Sequence, residues 1–324
     1  MLQVKEVQSI VNQYIENIDW GISPQGLYDP IAYVLGLGGK RIRPVLSILS
    51  ANLFTSDITS VVTPAIGLEI FHNFSLLHDD IMDHAEMRRN KPTVHMKWNE
   101  NTAILSGDAM LIKAYQHIAE TPSYCLSEVF SVFSKTALEV CEGQQYDMEF
   151  ELRENVSESE YLEMIRLKTA VLLGASLQIG ALIGKANEKD AQLLYDFGIN
   201  VGLAFQLKDD LLDVYGEAET FGKNIGGDIL CNKKTYLLLQ ALERATGDTK
   251  IELQEWLNKK DYIASKKIAA VTEIYNQLGI KSLCEEKINA FFSLAIQCLD
   301  KVQVSLVKKD ILRDLAEELM YRQV

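Results

Sequence analysis

Residues 191–215 read AQLLYDFGINVGLAFQLKDDLLDVY. Within this stretch Leu194, Phe197, Val201, Ala204, Leu207, Leu211 and Val214 follow one another at intervals of three and four, the period of a helix with one apolar face. The segment Tyr161–Gly184 has the same spacing, and no run alternates convincingly over the length of a strand. All six prolines (Pro24, Pro30, Pro44, Pro64, Pro92 and Pro122) lie in the first 122 residues, so the rest of the chain is compatible with long uninterrupted helices. The expected fold is all-α.

The most apolar run, 171–184, contains the small residues Gly174, Ala175, Ser176, Gly180 and Ala181, which let neighbouring helices approach closely. It is shorter than the ~18 residues that suggest a membrane span, and Ser176 and Gln178 interrupt it, so it reads as a central buried helix and no membrane span is expected. Breaks fall at Gly36–Gly39, Asn90–Pro92, Thr121–Ser123 and Gly216–Gly227, each too short for a domain linker. A single helical bundle domain over 1–324 is the simplest expectation.

Of 324 residues, 48% are hydrophobic and 24% charged, which suits a globular protein with a sizeable core. The formal net charge of -13 argues against nucleic acid as a partner, because that binding depends on lysine and arginine neutralising phosphates. Anionic substrates would need local basic patches. The five cysteines are scattered without a CxxC pair, so neither a disulfide framework nor a zinc site is indicated. With an N-terminus that lacks a basic start followed by an apolar stretch, this points to the cytoplasm.

One chemical pattern occurs in each half of the chain: His78-Asp79-Asp80-Ile81-Met82-Asp83 and Lys208-Asp209-Asp210-Leu211-Leu212-Asp213. On a helix, residues four apart share a face with a rise of roughly 6 Å, so Asp79/Asp83 and Asp209/Asp213 each form a carboxylate pair while the middle aspartate points partly away. Carboxylates without histidine or thiolate at ligand spacing suit a hard cation such as magnesium, which takes one or two carboxylates, waters and substrate phosphate oxygens. Two facing pairs would hold a diphosphate through metal ions. Like charges at i,i+4 cost a helix a few tenths of a kcal/mol, so a use for them explains their presence better than a solvated helix end does.

Together with Gly38-Gly39-Lys40-Arg41-Ile42-Arg43-Pro44 upstream, and Arg88-Arg89 after the first motif, the order and spacing of these clusters over about residues 30 to 240 resemble the trans-prenyl diphosphate synthase family. The resemblance implies an all-helical bundle around a deep central cavity, a homodimer, and two aspartate motifs facing each other across the cavity mouth. It implies two or three Mg2+ per site, with Asp79, Asp83 and Asp209 as metal ligands and Asp80, Asp210 and Asp213 in support. Lys40, Arg43, His72 and Arg89 match the positions that hold isopentenyl diphosphate. Arg88, Lys168, Thr169, Gln206, Lys223 and Lys233 match those around the allylic diphosphate. From the residues alone, His72 also reads as a hydrogen-bonded core histidine, and 221–228 reads equally as a closing lid or a plain helix connection. The family pattern often has proline where Asn224 stands and glycine where Asn232 stands. Gly143-Gln144-Gln145-Tyr146-Asp147 resembles a further motif near the allylic site, with contacts from Gln144 and Asp147 left open.

The implied reaction is ionisation of the allylic diphosphate, attack by the alkene of isopentenyl diphosphate, and proton loss to give a longer trans allylic diphosphate, with no side-chain nucleophile. Chain length is expected to depend on Phe71, Phe74 and Ser75, a turn or more below Asp79. Phe74 without a second aromatic at Ser75 resembles synthases making fifteen to twenty carbons, geranylgeranyl diphosphate being favoured. A terpene cyclase would be expected to lack the second DDxxD and the Gly-Lys-Arg segment. A non-catalytic partner subunit would tend to have degraded aspartate motifs, and both are intact here.

Overall fold

The computed structural model describes residues 2–21, 23–216 and 225–320. Its helices are α1 (Val4–Glu16), α2 (Gln25–Gly36), α3 (Ile42–Phe54), α4 (Thr59–Met82), α5 (Val94–Lys97), α6 (Glu100–Ala119), α7 (Leu126–Leu152), α8 (Glu158–Ile165), α9 (Val171–Ile183) and α10 (Glu188–Tyr215). They continue as α11 (Gly227–Leu230), α12 (Tyr236–Arg244), α13 (Gly247–Asn258), α14 (Ala264–Gln277), α15 (Ile280–Lys301) and α16 (Leu306–Met320). A π-helical turn, Arg166–Ala170, joins α8 to α9. The all-α expectation holds, and the seven stripe residues of α10 are all buried.

One small difference is a hairpin in which β1 (Met87–Arg88) pairs antiparallel with β2 (Lys91–Pro92). The break expected at Asn90–Pro92 covers the second turn residue and strand β2 of this hairpin. Arg89 and Asn90 both have positive φ (52° and 59°), the geometry that matches a two-residue turn to the twist of its strands.

The chain divides into two compact units: Met1–Ala137 with Leu172–Tyr195 and Asp300–Leu312, and Leu138–Val171 with Asp196–Leu299 and Arg313–Val324. At the centre of the first unit, α4 is buried without interruption from Pro64 to Phe71 and packs on α6 and α3. Close approach is built from small residues. A Cβ at Gly67 would lie 3.0 Å from the Ala114 carbonyl, and one at Gly180 only 1.9 Å from the Ser47 carbonyl, so α9 lies directly on the α3 backbone. Ser50 Oγ donates to the Leu177 carbonyl across the same contact (2.6 Å). Each large aliphatic side chain fully buried in such a core contributes about 1.5–3 kcal/mol.

Two stretches, Thr59–Met82 and Glu158–Ile183, are long and apolar enough to cross a membrane by length and composition. Their apolar windows are 67% and 72% buried within the protein, as core helices are.

In the second unit, Leu207 and Leu211 of α10 are buried together with Tyr161, Ile165, Leu237, Leu238 and Tyr275. The π-turn packs against α7 at Gly143, where a Cβ would lie 2.3 Å from the Lys168 backbone nitrogen. Turns of this kind inside helices recur at functional sites, and this one carries Lys168 and Thr169.

Candidate active site

In the first unit the aspartate motif forms the last turn of α4, with Asp83 as its C-cap. His84 then turns the chain at φ 50° into the hairpin, which brings Arg88 back beneath the motif. Arg88 Nε donates to both Asp80 oxygens (2.8 and 2.9 Å), and its Nη2 lies 2.7 Å from Asp80 and 3.7 Å from Asp79. Asp80 is buried, Asp79 half-buried and Asp83 exposed. Burial raises Asp80 above the usual carboxylate value, and the Arg88 guanidinium opposes that shift.

The Gly38–Arg41 loop and the first turn of α3 supply further cations in this unit. Gly38, Gly39 and Arg41 all have positive φ (76°, 131° and 53°), so the two glycines relieve what would be strain in other residues. Arg89 Nη1 donates to the Gly38 carbonyl, and its guanidinium fills the space a Cβ at Gly39 would need. Arg41 points inward instead, donating to Glu69 Oε1 (2.9 Å), the Leu35 carbonyl (2.6 Å) and Asn12 Oδ1 (3.2 Å). Arg43 Nε is buried with no hydrogen-bond partner. Burial lowers the Arg43 pKa to about 10, with Glu69 opposing and Arg89 reinforcing the shift. Lys40 is exposed. Cations crowded together with an orphaned N–H form a site that gains from an anion.

Burial, and then the charges of Arg43, Arg89, Arg88 and Arg41, hold His72 well below its ordinary value of 6.5. His72 is therefore neutral at pH 7. In the unfolded chain it regains the ordinary value, so its contribution to stability is full above about pH 6.5 and is lost progressively as pH falls below that towards the lower folded-state value. His72→Gln is expected to lessen the drop in unfolding midpoint between pH 7 and pH 5.5, measured by denaturant titration at both pH values.

In the second unit the motif lies near the C-terminal end of α10, where the middle aspartate is again buried and Asp213 is buried with it. Asp210 accepts the Tyr161 hydroxyl on Oδ2 and the Gln206 amide on Oδ1 (3.0 Å). Burial pushes Asp210 up to about 6, against the hydrogen bond from Tyr161 and the charge of Lys233. Thr169 Oγ1 donates to Gln206 Oε1 (3.1 Å), which joins the π-turn to this network. Lys168 Nζ pairs with Asp147 at 2.6 Å. Burial would raise Asp147, yet Lys233 and Lys168 hold it below its ordinary value. Asp213 is buried and accepts the Asp228 N–H on Oδ2 (2.9 Å), while Asp209 remains half-buried. Lys223 lies outside the described residues, as do Gly222 and Asn224 of the expected lid.

Each unit thus carries the same division of labour: a buried middle aspartate bonded to protein donors, and at least one outer aspartate that reaches solvent. Among the described residues no group of three His, Cys, Asp or Glu side chains could hold a metal alone. All-oxygen donors in ones and twos fit magnesium, which keeps waters and takes phosphate oxygens.

Comparison with known proteins decides the family. The polyprenyl synthetase profile matches residues 24–278. The chain belongs to the polyprenyl synthetase family. The geranylgeranyl diphosphate synthase of Methanosarcina mazei is 37% identical over 301 residues, covering 88% of this chain and 93% of that protein. The geranylfarnesyl diphosphate synthase of Natronomonas pharaonis is 34% identical over 259 residues, covering 74% and 76%. A crystal structure of a geranylgeranyl pyrophosphate synthase is 44% identical, covers all of both chains and superposes with a TM-score of 0.94. Its membership makes this protein a prenyltransferase that forms prenyl diphosphates, as the motifs implied.

In this polyprenyl synthetase, the residues expected to set chain length form part of an aromatic layer in the first unit. Phe71 lies 5.5 Å from Phe74 and 5.4 Å from Phe133 between ring centroids, and Tyr115 lies 4.9 Å from Phe133. Phe74 also packs edge-on against His78 (4.8 Å), and Ser75 Oγ donates to the His72 carbonyl (2.9 Å). Sequence reasoning did not find Tyr161 as the partner of Asp210, or Glu69 as the counter-ion of Arg41. The only signal was a polar residue at an otherwise apolar helix position.

Proposed function

We propose that this prenyltransferase condenses isopentenyl diphosphate with an allylic diphosphate and releases chiefly geranylgeranyl diphosphate. The observation that carries the reading is the repeated motif in which protein donors occupy the buried middle aspartate while Asp79, Asp83 and Asp209 reach solvent. Asp79, Asp83 and Asp209 would hold Mg2+, two or three ions in all. Bound there, the metal would neutralise charge on the departing diphosphate.

The chain's own groups account for the rest. Arg43, with its unpartnered Nε, Arg89, Lys40 and neutral His72 bind isopentenyl diphosphate. By the family match, Lys168, Thr169, Gln206, Lys223, Lys233 and Arg88 are assigned to the allylic diphosphate. Arg88 holds Asp80, and Tyr161 with Gln206 holds Asp210, so that the neighbouring ligands keep their direction. Alignment and electrostatic stabilisation then supply the rate without a side-chain nucleophile.

Exposed apolar residues of α6, including Leu105 and Ile112, each 61% exposed, support a homodimer. The absence of a disulfide framework supports a cytoplasmic setting.

The metal assignment is tested by stripping the protein with EDTA and titrating Mg2+ back. Turnover is expected to vanish and return, and turnover that persists without metal would refute the assignment. Phe74→Ala opens space in the aromatic layer and is expected to lengthen the main product by at least one five-carbon unit, read by mass spectrometry.

A further inference from the structure

Segment 226–235 carries Lys233 and is fastened at two points. At one, Gly226 N–H donates to the Asp213 carbonyl (2.6 Å), beside the Asp228–Asp213 bond already described. At the other stands Asn232, in the left-handed region at φ 53°. Asparagine tolerates this conformation better than other L residues, and here its side chain is also engaged. Asn232 Nδ2 donates to the Leu257 carbonyl (3.0 Å) and Oδ1 accepts from Lys267 Nζ (2.7 Å).

Lys267, on α14, is 1% exposed. Its ammonium also donates to the Leu230 carbonyl (3.2 Å) and lies 4.5 Å from the Tyr262 ring centre, and the Tyr262 hydroxyl donates to the same carbonyl (3.1 Å). Burying an ammonium is costly unless it is well bonded, and no diphosphate or metal role described above uses this one. What it grips is the turn immediately before Lys233. Lys233 N–H in turn donates to the Asp228 carbonyl (2.9 Å), and its charge acts on Asp147 and Asp210.

We propose that Lys267 and Asn232 are positioning residues for the condensation, a clamp that fixes the turn from which Lys233 reaches the allylic diphosphate. The proposal rests on the assignment of Lys233 to that diphosphate. Where the family pattern often has glycine, this chain keeps the left-handed backbone and adds a side chain that ties it to α14.

The test is steady-state kinetics of the full-length enzyme with Mg2+, varying the allylic diphosphate and isopentenyl diphosphate separately, for Lys233→Ala, Lys267→Met and the double variant. Lys267→Met removes bonds from a charged donor and is expected to lower kcat/KM for the allylic diphosphate about tenfold, with KM for isopentenyl diphosphate changed less than about twofold. In the Lys233→Ala background the same change is expected to cost less than about twofold more, because the clamp acts through Lys233. Full additivity, or an equal rise in both KM values, would overturn the proposal. Lys233→Ala with unaltered allylic kinetics would overturn the Lys233 assignment itself and this proposal with it. If Lys267→Met fails to fold, Asn232→Gly decides: it keeps the backbone free of strain while cancelling both side-chain bonds, and an unchanged allylic kcat/KM would refute the clamp.

Discussion

Asp79→Ala and Asp209→Ala are each expected to lower kcat by about 10²–10³-fold, the scale of losing a group that stabilises transition-state charge, with the helical circular dichroism unchanged. Asp79→Ala removes both a like-charge repulsion with Asp83 one turn away and the 3.7 Å approach of Arg88, terms of opposite sign and each of a few tenths of a kcal/mol, so its melting temperature is expected to change little. The middle aspartates differ. Asp80 is bonded to Arg88, and Asp210 to Tyr161 and Gln206. Their asparagine variants keep the shape and are expected to lose roughly 10- to 100-fold, as for residues that orient metal ligands. Near-normal turnover in Asp79→Ala or Asp209→Ala would contradict the metal assignment.

Gly143→Ala is expected to lower both stability and activity. The added Cβ would lie 2.3 Å from Lys168 N and 2.7 Å from Lys168 Cα, and backbone in a helical turn cannot swing aside as a side-chain tip can. Overpacking of this kind costs about 1–3 kcal/mol, and relief would move the turn that carries Lys168 and Thr169. A loss of at least tenfold in kcat is therefore expected at a temperature where the variant is folded. Gly180→Ala is the contrasting case. Its Cβ would meet the Ser47 carbonyl at 1.9 Å, within the first unit, where neither Lys168 nor Thr169 lies. Stability is expected to fall at least as far, with kcat of the folded fraction preserved. Thermal unfolding paired with kcat at 25 °C separates the two.

The fold class was legible because its signal is local. Residues 191–215 carry the helical period, and every stripe residue proved buried. The aspartate motifs were legible for the same reason, since i,i+4 spacing on a helix fixes which carboxylates share a face. What holds those motifs in place was not legible. Tyr161 is 49 residues from Asp210, Lys168 is 21 from Asp147, and Arg41 is 28 from Glu69. Such pairs follow from how helices pack, which spacing along the chain does not encode. The hairpin after α4 was hidden because Arg89 and Asn90, rather than glycine, take the left-handed turn positions. Gly143 was noticed as part of a motif, but its purpose depends on a π-turn that no helical periodicity announces.

The central claim is best tested by incubating the purified protein with isopentenyl diphosphate, Mg2+ and, separately, dimethylallyl, geranyl or farnesyl diphosphate, and measuring product length by mass spectrometry. The expected result is extension of all three starters to a product that is mainly twenty carbons long. No extension of any starter by a folded, metal-loaded sample would contradict the account.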